Sequence, residues 1–276
     1  MNIDLHCHST ISDGLLKPDE VARLARNKGV DVWALTDHDE VSGLALARAT
    51  AQEIGLTFVD GVEISITWAN KTIHILGLHL DPTNAELCAG LAHTRSGRDR
   101  RAQQIADQLA AVGIPGAYDG ALKYVANKSL IGRAHFARYI VELGVCPDVK
   151  TVFGKYLVEG KPGYVPHAWA TLEDAVRWIR GAGGVAVIAH PGRYHFDLVQ
   201  ETAFIEQFIE AGGAGVEVIT SAHSPAEWKY YEALAKKYQL KGSRGSDYHG
   251  PGESEAELGA LPPLPAPLTP VWQDWF

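Results

Sequence analysis

This sequence predicts an α/β fold, a parallel barrel interrupted by a helical insertion, on three observations. Short apolar segments alternate with amphipathic ones about seven times along 276 residues. His, Asp or Glu stands near the C-terminal end of almost every apolar segment. The rhythm breaks once, between about 95 and 165, where the pattern is mostly helical.

Strands are predicted at 3–6, 32–36, 58–64, 72–79, 185–189, 216–220 and 241–245. Several are rich in Val, Ile and Leu without polar alternation, the pattern of parallel strands buried on both faces. A helix at 18–28 has Pro18 at its start and stops before Gly29. One at 43–54 stops before Gly55. One at 172–181 follows Thr171, a good N-cap, with Asp174 completing a weak capping box. Helices at 203–211, stopping before Gly212-Gly213, and at 225–238 complete the rhythm. It favours a closed barrel over an open sheet without deciding it. The insertion reads as helices at 98–112, 134–143 and 149–156, with a turn at Gly113-Ile114-Pro115-Gly116. The domains are thus 1–94 (barrel), 95–165 (helical insertion, a substrate cap) and 166–276 (barrel again). The Pro-rich stretch 261–270 suits neither helix nor central strand. It is expected to wrap the barrel in extended form, with Trp272 and Trp275 as anchors.

Composition bounds the function. Hydrophobic residues make up 46% and charged residues 21%, ordinary for a soluble enzyme. The net charge of −8, from 25 bases against 33 acids, does not hold nucleic acid by bulk charge. Cys7, Cys88 and Cys146 are an odd count with no Cys-x-x-Cys, so no disulfide framework is expected. No signal peptide or membrane-length apolar run is seen, so the cytoplasm is the expected compartment and no membrane partner is expected. Twelve histidines suggest metal chemistry.

His6 and His8 flank Cys7, and on a strand residues two apart share a face. Two imidazoles there can grip one ion while Cys7 turns away as a small buried residue. Asp13 follows in a loop, where alone it would be a turn residue before Gly14. Thr36-Asp37-His38-Asp39 ends the second strand, with Asp37 and Asp39 as caps or supports. Gly61-Val62-Glu63 ends the third, His74 lies on the fourth, and Ala189-His190-Pro191-Gly192 ends the fifth. Ser246-Asp247-Tyr248-His249 ends the last. Imidazole plus carboxylate suits manganese, zinc or iron, and barrel sites form at these strand ends. Nine candidates (His6, His8, Asp13, His38, Glu63, His74, His190, Asp247 and His249) are too many for one ion, so two or three are implied. Glu63 is the natural bridge. His79, His93, His167, His195 and His223 lack such a context and read as surface or supporting residues.

These motifs, in this order over nearly the whole chain, resemble the polymerase and histidinol phosphatase (PHP) family. The resemblance implies a distorted (β/α)7 barrel and a trinuclear site with manganese as first choice. It implies one ion on His6, His8, Glu63 and Asp247, a second on Asp13, His38 and His249, and a third on Glu63, His74 and His190. Asp247, His38 and His249 are the candidate catalytic residues, the two imidazoles as alternative proton donors to the leaving oxygen. The stretch Ile131-Gly132-Arg133-Ala134-His135-Phe136-Ala137-Arg138, followed by Lys161-Pro162-Gly163-Tyr164-Val165, is similar to the subgroup acting on nucleoside 3′,5′-bisphosphates and short 5′-phosphorylated RNA. Arg101, Arg133, His135, Lys161 and Arg193 are accordingly the candidate substrate-binding residues, because a second phosphate needs cations beyond the metals. Arg98 and Arg100 fit a solvated helix face equally well.

The expected activity is phosphomonoester hydrolysis, removing the 3′-phosphate of a bisphosphate such as pAp to leave AMP. The metals would activate water and neutralise phosphoryl oxygens. The alternatives are a 5′→3′ exoribonuclease on short RNA, then a histidinol-phosphate phosphatase, then a C–N amidohydrolase. The last often has a metal-bridging Lys on a middle strand, which is not found here. A non-catalytic polymerase-associated module is disfavoured by the complete ligand set. The expected partner is a small phosphorylated nucleotide or short RNA, with no duplex DNA and no obligate protein partner.

Overall fold

A computed structural model covering residues 1–276 shows seven strands hydrogen-bonded in sequence order. They are β1 (Ile3–Asp4), β2 (Val32–Leu35), β3 (Thr57–Trp68), β4 (Lys71–Leu78), β5 (Val185–Ile188), β6 (Gly215–Thr220) and β7 (Lys241–Gly245). Backbone bonds bring the ends together. Leu5 N–H donates to Arg244 O at 3.1 Å, Asp247 N–H to His6 O at 2.8 Å and His8 N–H to Tyr248 O at 2.8 Å. This is the distorted seven-stranded (β/α) barrel that the resemblance implies.

The barrel is not parallel throughout, which corrects the expectation. β4 runs antiparallel to both β3 and β5. No helix separates β3 from β4. They form a hairpin through Ala69-Asn70, with φ of 48° and 62°, the backbone of a two-residue turn that follows strand twist. Glu63 therefore lies inside a long strand and not at its end. The reversal puts the N-terminal half of β4, with His74, at the same mouth as the C-terminal ends of the parallel strands.

Alternation sorts the strand residues into two layers. Ile3, Leu5, Val32, Ala34, Val59, Leu76, Leu78, Val187 and Ala189 pack together inside the barrel. Trp33 and Leu35 face outward onto α1 (Pro18–Asn27) and α2 (Leu44–Ile54). α3 (Ala85–Arg95), which the sequence reading omits, is capped by the Asn84 side chain and packs with α8 (Leu172–Gly181). Its residues show no apolar stripe. Gly90 makes the contact possible, since a Cβ there would lie 2.4 Å from the Trp178 ring. α9 (Leu198–Glu210) and α10 (Pro225–Tyr238) cover β5 to β7.

Between α3 and α8 lie α4 (Arg98–Ala111), α5 (Ala117–Leu122), α6 (Arg133–Glu142) and α7 (Val149–Val152), with a core of their own that includes Ile105, Leu109, Phe136 and Ile140. Past Gly245 there is no further helix or strand. The tail closes the barrel floor through turns, where an extended wrap was expected. Gly242 N–H donates to Thr269 O at 2.8 Å and Val271 N–H to Gly242 O at 3.0 Å. Val271 enters the interior cluster, and Trp272 and Trp275 pack half-buried around it. No helix is long and apolar enough to cross a membrane.

Candidate metal centre

The mouth is built from residues just past β1, β2, β5 and β7, with Glu63 and His74 inside β3 and β4. Asp39, His190 and Asp247 are held at positive φ (51°, 27° and 53°). Such backbone costs about 1–3 kcal/mol per residue and persists only where surroundings enforce it. At the β1 end, Leu5 faces the apolar interior while His6, next in sequence, joins the mouth, so face alternation is reset there. His6 and His8 nonetheless share a side, their Nε2 atoms 3.2 Å apart. Cys7 turns away and accepts a hydrogen bond from Trp33 Nε1 at 2.9 Å.

All nine residues singled out by spacing come together. Glu63 Oε2 lies 3.3, 3.2 and 3.0 Å from His6 Nε2, His8 Nε2 and His38 Nδ1. Its Oε1 lies 3.0 Å from His74 Nδ1 and 2.9 Å from His190 Nε2. Asp247 Oδ1 is 3.1 Å from His8 Nε2, and Asp13 Oδ1 is 3.4 Å from His249 Nε2. Three groups have ligand atoms within 4.8 Å of one another: His6, His8, Glu63 and Asp247; His8, Asp13, His38 and His249; and His38, Glu63 and His74.

The donor set fits divalent ions. Glu63 Oε2, His38 Nδ1 and His74 Nδ1 are buried and make no well-formed hydrogen bond, although Glu63 oxygens lie 3.0 Å from both imidazole nitrogens. Lone pairs converging without proton-sharing geometry would be costly unless a cation neutralised them. Burial alone would raise the carboxyl pKa values. The imidazoles of His74 and His38 around Glu63, those of His38 and His249 around Asp13, and Arg193 beside Asp247 hold all three well below the usual carboxylate range. Burial opposes the charged form of His8, but Asp247 and Glu63 outweigh it and raise it to about 10. His190 goes the other way, to about 3, through burial and Arg193.

Buried anchors hold the candidate ligands. Asp37 accepts from the backbone N–H groups of Ser9 and Ser12 at 2.8 and 3.2 Å, and from both hydroxyls. It fixes the loop that carries Asp13. Glu217, which the sequence reading passed over, is fully buried on β6. It accepts from His6 Nδ1 at 3.0 Å and from the His190 N–H at 2.7 Å. A carboxylate behind an imidazole fixes its tautomer and presents Nε2 to the site. A lone Glu in the apolar run Gly215-Val-Glu-Val-Ile-Thr220 was the available signal. His249 is fixed similarly, with Nδ1 2.9 Å from Asp247 O.

The candidate cations divide. Arg193 Nη1 is 2.6 Å from Asp247 Oδ2, with its side chain 46% exposed at the mouth. Arg98 is buried against Asp39, an ion pair joining the insertion to the barrel. Arg98 and Arg101 lie over the Trp169 ring, at 4.6 and 5.3 Å from its centroid. Arg101 donates only to Val165 O, at 2.9 Å, and Arg133 only to Leu157 O, at 3.1 Å. Burial, with Arg133 and Arg98 adding, lowers Arg101 to about 9, the mark of an uncompensated guanidinium. His135 departs from its expected substrate-facing place. It is wholly buried, Nδ1 accepts from Gly132 N–H at 3.0 Å, and Nε2–H donates to Ser12 O at 3.1 Å, so it braces the Asp13 loop. Lys161 is exposed.

A model of the PHP domain matches residues 4–187. The chain belongs to the PHP family. It is a metal-dependent phosphoesterase. A Chromobacterium violaceum 3′,5′-nucleoside bisphosphate phosphatase is 47% identical over 99% of this chain and 96% of its own length. The 5′-3′ exoribonuclease Rnm of Escherichia coli is 42% identical, covering 99% of this chain and 93% of its own. A Chromobacterium violaceum structure described as an amidohydrolase with bound sulfate and no metal superposes with a TM-score of 0.96 at 47% identity, covering 99% of this chain and 95% of its own. This PHP chain is similar to each of them.

Proposed function

We propose that this PHP protein removes the 3′-phosphate from nucleoside 3′,5′-bisphosphates, pAp to AMP among them. The observation that carries this reading is a pair of guanidiniums on the insertion, buried Arg101 and half-buried Arg133, that have no carboxylate partner. A charge buried without a partner is costly, and a second, non-reacting phosphate supplies one. The similarity to the Chromobacterium violaceum phosphatase over nearly the whole chain supports the same substrate class.

In this reading His6, His8, Glu63 and Asp247 hold one divalent ion, Asp13, His38 and His249 a second, and Glu63, His74 and His190 a third, with manganese ahead of zinc or iron. When bound, such ions lower the pKa of water and neutralise phosphoryl oxygens. Arg193 reaches past Asp247 to an equatorial phosphoryl oxygen. Arg101 and Arg133 hold the other phosphate, which fixes the nucleotide in line and supplies most of what phosphoryl transfer needs. His249, whose Nδ1–H is spent on Asp247 O, turns its Nε2 lone pair toward Asp13. Work in the cytoplasm, on a small nucleotide with no duplex DNA, membrane or obligate protein partner, accords with three free thiols.

A second reading, 5′→3′ exonuclease action on short 5′-phosphorylated RNA, is favoured by the similarity to the Escherichia coli exoribonuclease. It uses the same cations on a terminal phosphate. The test is phosphate and nucleotide release in manganese from 3′,5′-bisphosphates, 3′- and 5′-monophosphates, histidinol phosphate and 5′-phosphorylated oligonucleotides. The bisphosphate should be preferred. Preference for the oligonucleotide selects the second reading, and equal turnover of all overturns both.

A further inference from the structure

His223 stands outside the metal cluster, yet it is buried and both its nitrogens are committed. Its Nε2 accepts from Gly192 N–H at 3.0 Å. Nδ1–H then donates to Val218 O at 3.2 Å, which fixes a neutral tautomer. Its ring stacks on Tyr231, centroids 4.5 Å apart and 19° from parallel. Gly192 belongs to the short turn Pro191–Tyr194, which carries Arg193. Residues on both sides of that turn, His190 and His195, have positive φ (27° and 48°). The turn thus does not follow from its own backbone preferences, and it is pinned from outside. His190 N–H is held by Glu217 and Tyr194 O–H by Ala189 O, at 2.7 and 2.8 Å, so the ends are fixed. His223 holds the middle. A Cβ on residue 192 would lie 2.8 Å from His223 Cδ2, so the turn rests on the ring with no side chain between.

We propose that His223 is a positioning residue for phosphoryl recognition, setting where the Arg193 guanidinium stands over the mouth. The peptide N–H it grips is one residue before Arg193, and Arg193 is the turn's link to Asp247. The partners of His223 are Gly192, Val218 and Tyr231, none of them among the nine candidate ligands. Its loss therefore acts through Arg193 and leaves the metal ligands in place. The inference rests on phosphoesterase action and on no particular nucleotide.

The test is a double-mutant cycle of His223→Phe, which keeps ring and stack, with Arg193→Ala. Activity is read on a 3′,5′-bisphosphate and on an aryl phosphomonoester. Affinity for inorganic phosphate is read by calorimetry on metal-loaded protein. His223→Phe should lower kcat/KM and phosphate affinity about tenfold, with the same KM-against-kcat split as Arg193→Ala. In the Arg193→Ala background it should change neither. Bound metal should match wild type. His223→Gln, which keeps an acceptor near Nε2, should recover most of the activity, and it decides the matter if the Phe variant does not fold. Additive effects, lost metal, or a Gln variant as impaired as Arg193→Ala would overturn the role. A wild type inactive on the bisphosphate but active on the aryl ester defeats the substrate reading alone, since the cycle still runs on the ester.

Discussion

Within one barrel, the floor and the mouth are assembled from the same strands on opposite terms. At the floor Ile3, Val32, Val59, Leu78 and Val187 meet Val271, apolar against apolar. A few residues further along the same strands, His6, His8, Glu63 and Asp247 crowd together, with the Glu63 oxygens facing imidazole nitrogens without a well-formed hydrogen bond at Oε2. The floor gains free energy from burial. The mouth spends it on unpaired polar groups and left-handed backbone, which persist because the floor and helices hold them. Stability and chemistry are thereby separated along the strand axis, as barrels with sites at the strand C-termini permit.

Substitutions at the two ends should have opposite signatures. The largest effect is expected from Asp247→Ala, which should lower phosphate release about 1000-fold while circular dichroism shows the barrel still folded. Retained activity in a steady-state assay would break the contrast at the mouth. Leu78→Ala at the floor should cost about 2–5 kcal/mol in denaturant unfolding with kcat/KM per folded molecule unchanged. A loss of activity there would mean that the two ends are coupled. Glu217→Gln tests the join between them. It should weaken manganese binding about 10–100-fold, measured by metal titration, with turnover restored at excess manganese. The smallest effect is expected from Arg101→Ala, a KM for the bisphosphate raised about tenfold and kcat little changed. An unchanged KM would remove the insertion from substrate binding.

Most of the nine mouth residues were legible from short motifs at strand ends, while Asp13 and His74 were legible only as members of the set. The seven strands were legible from apolar runs, and the insertion from the loss of their rhythm. The β3–β4 hairpin was not, because Ala69-Asn70 lacks the glycine that marks such turns. α3 was missed because its apolar residues form no stripe. His135 was assigned by the resemblance of its segment to the bisphosphate-acting subgroup, yet the fold buries it and spends both its nitrogens on backbone.

The sequence by itself determined the seven strands, the candidate ligands and their order along the chain, since local periodicity and motif spacing are properties of neighbouring residues, while the barrel came from the family resemblance. Tertiary structure alone decided what stands behind the candidate ligands and the segments that carry them. Glu217 backs His6 across 211 residues, His135 reaches Ser12 across 123, Arg98 meets Asp39 across 59 and His223 holds Gly192 across 31. Periodicity reports the face a residue presents and carries no record of what will be folded against it. A buried hydrogen bond depends on two such faces meeting at about 3 Å, and only the closed barrel sets that distance.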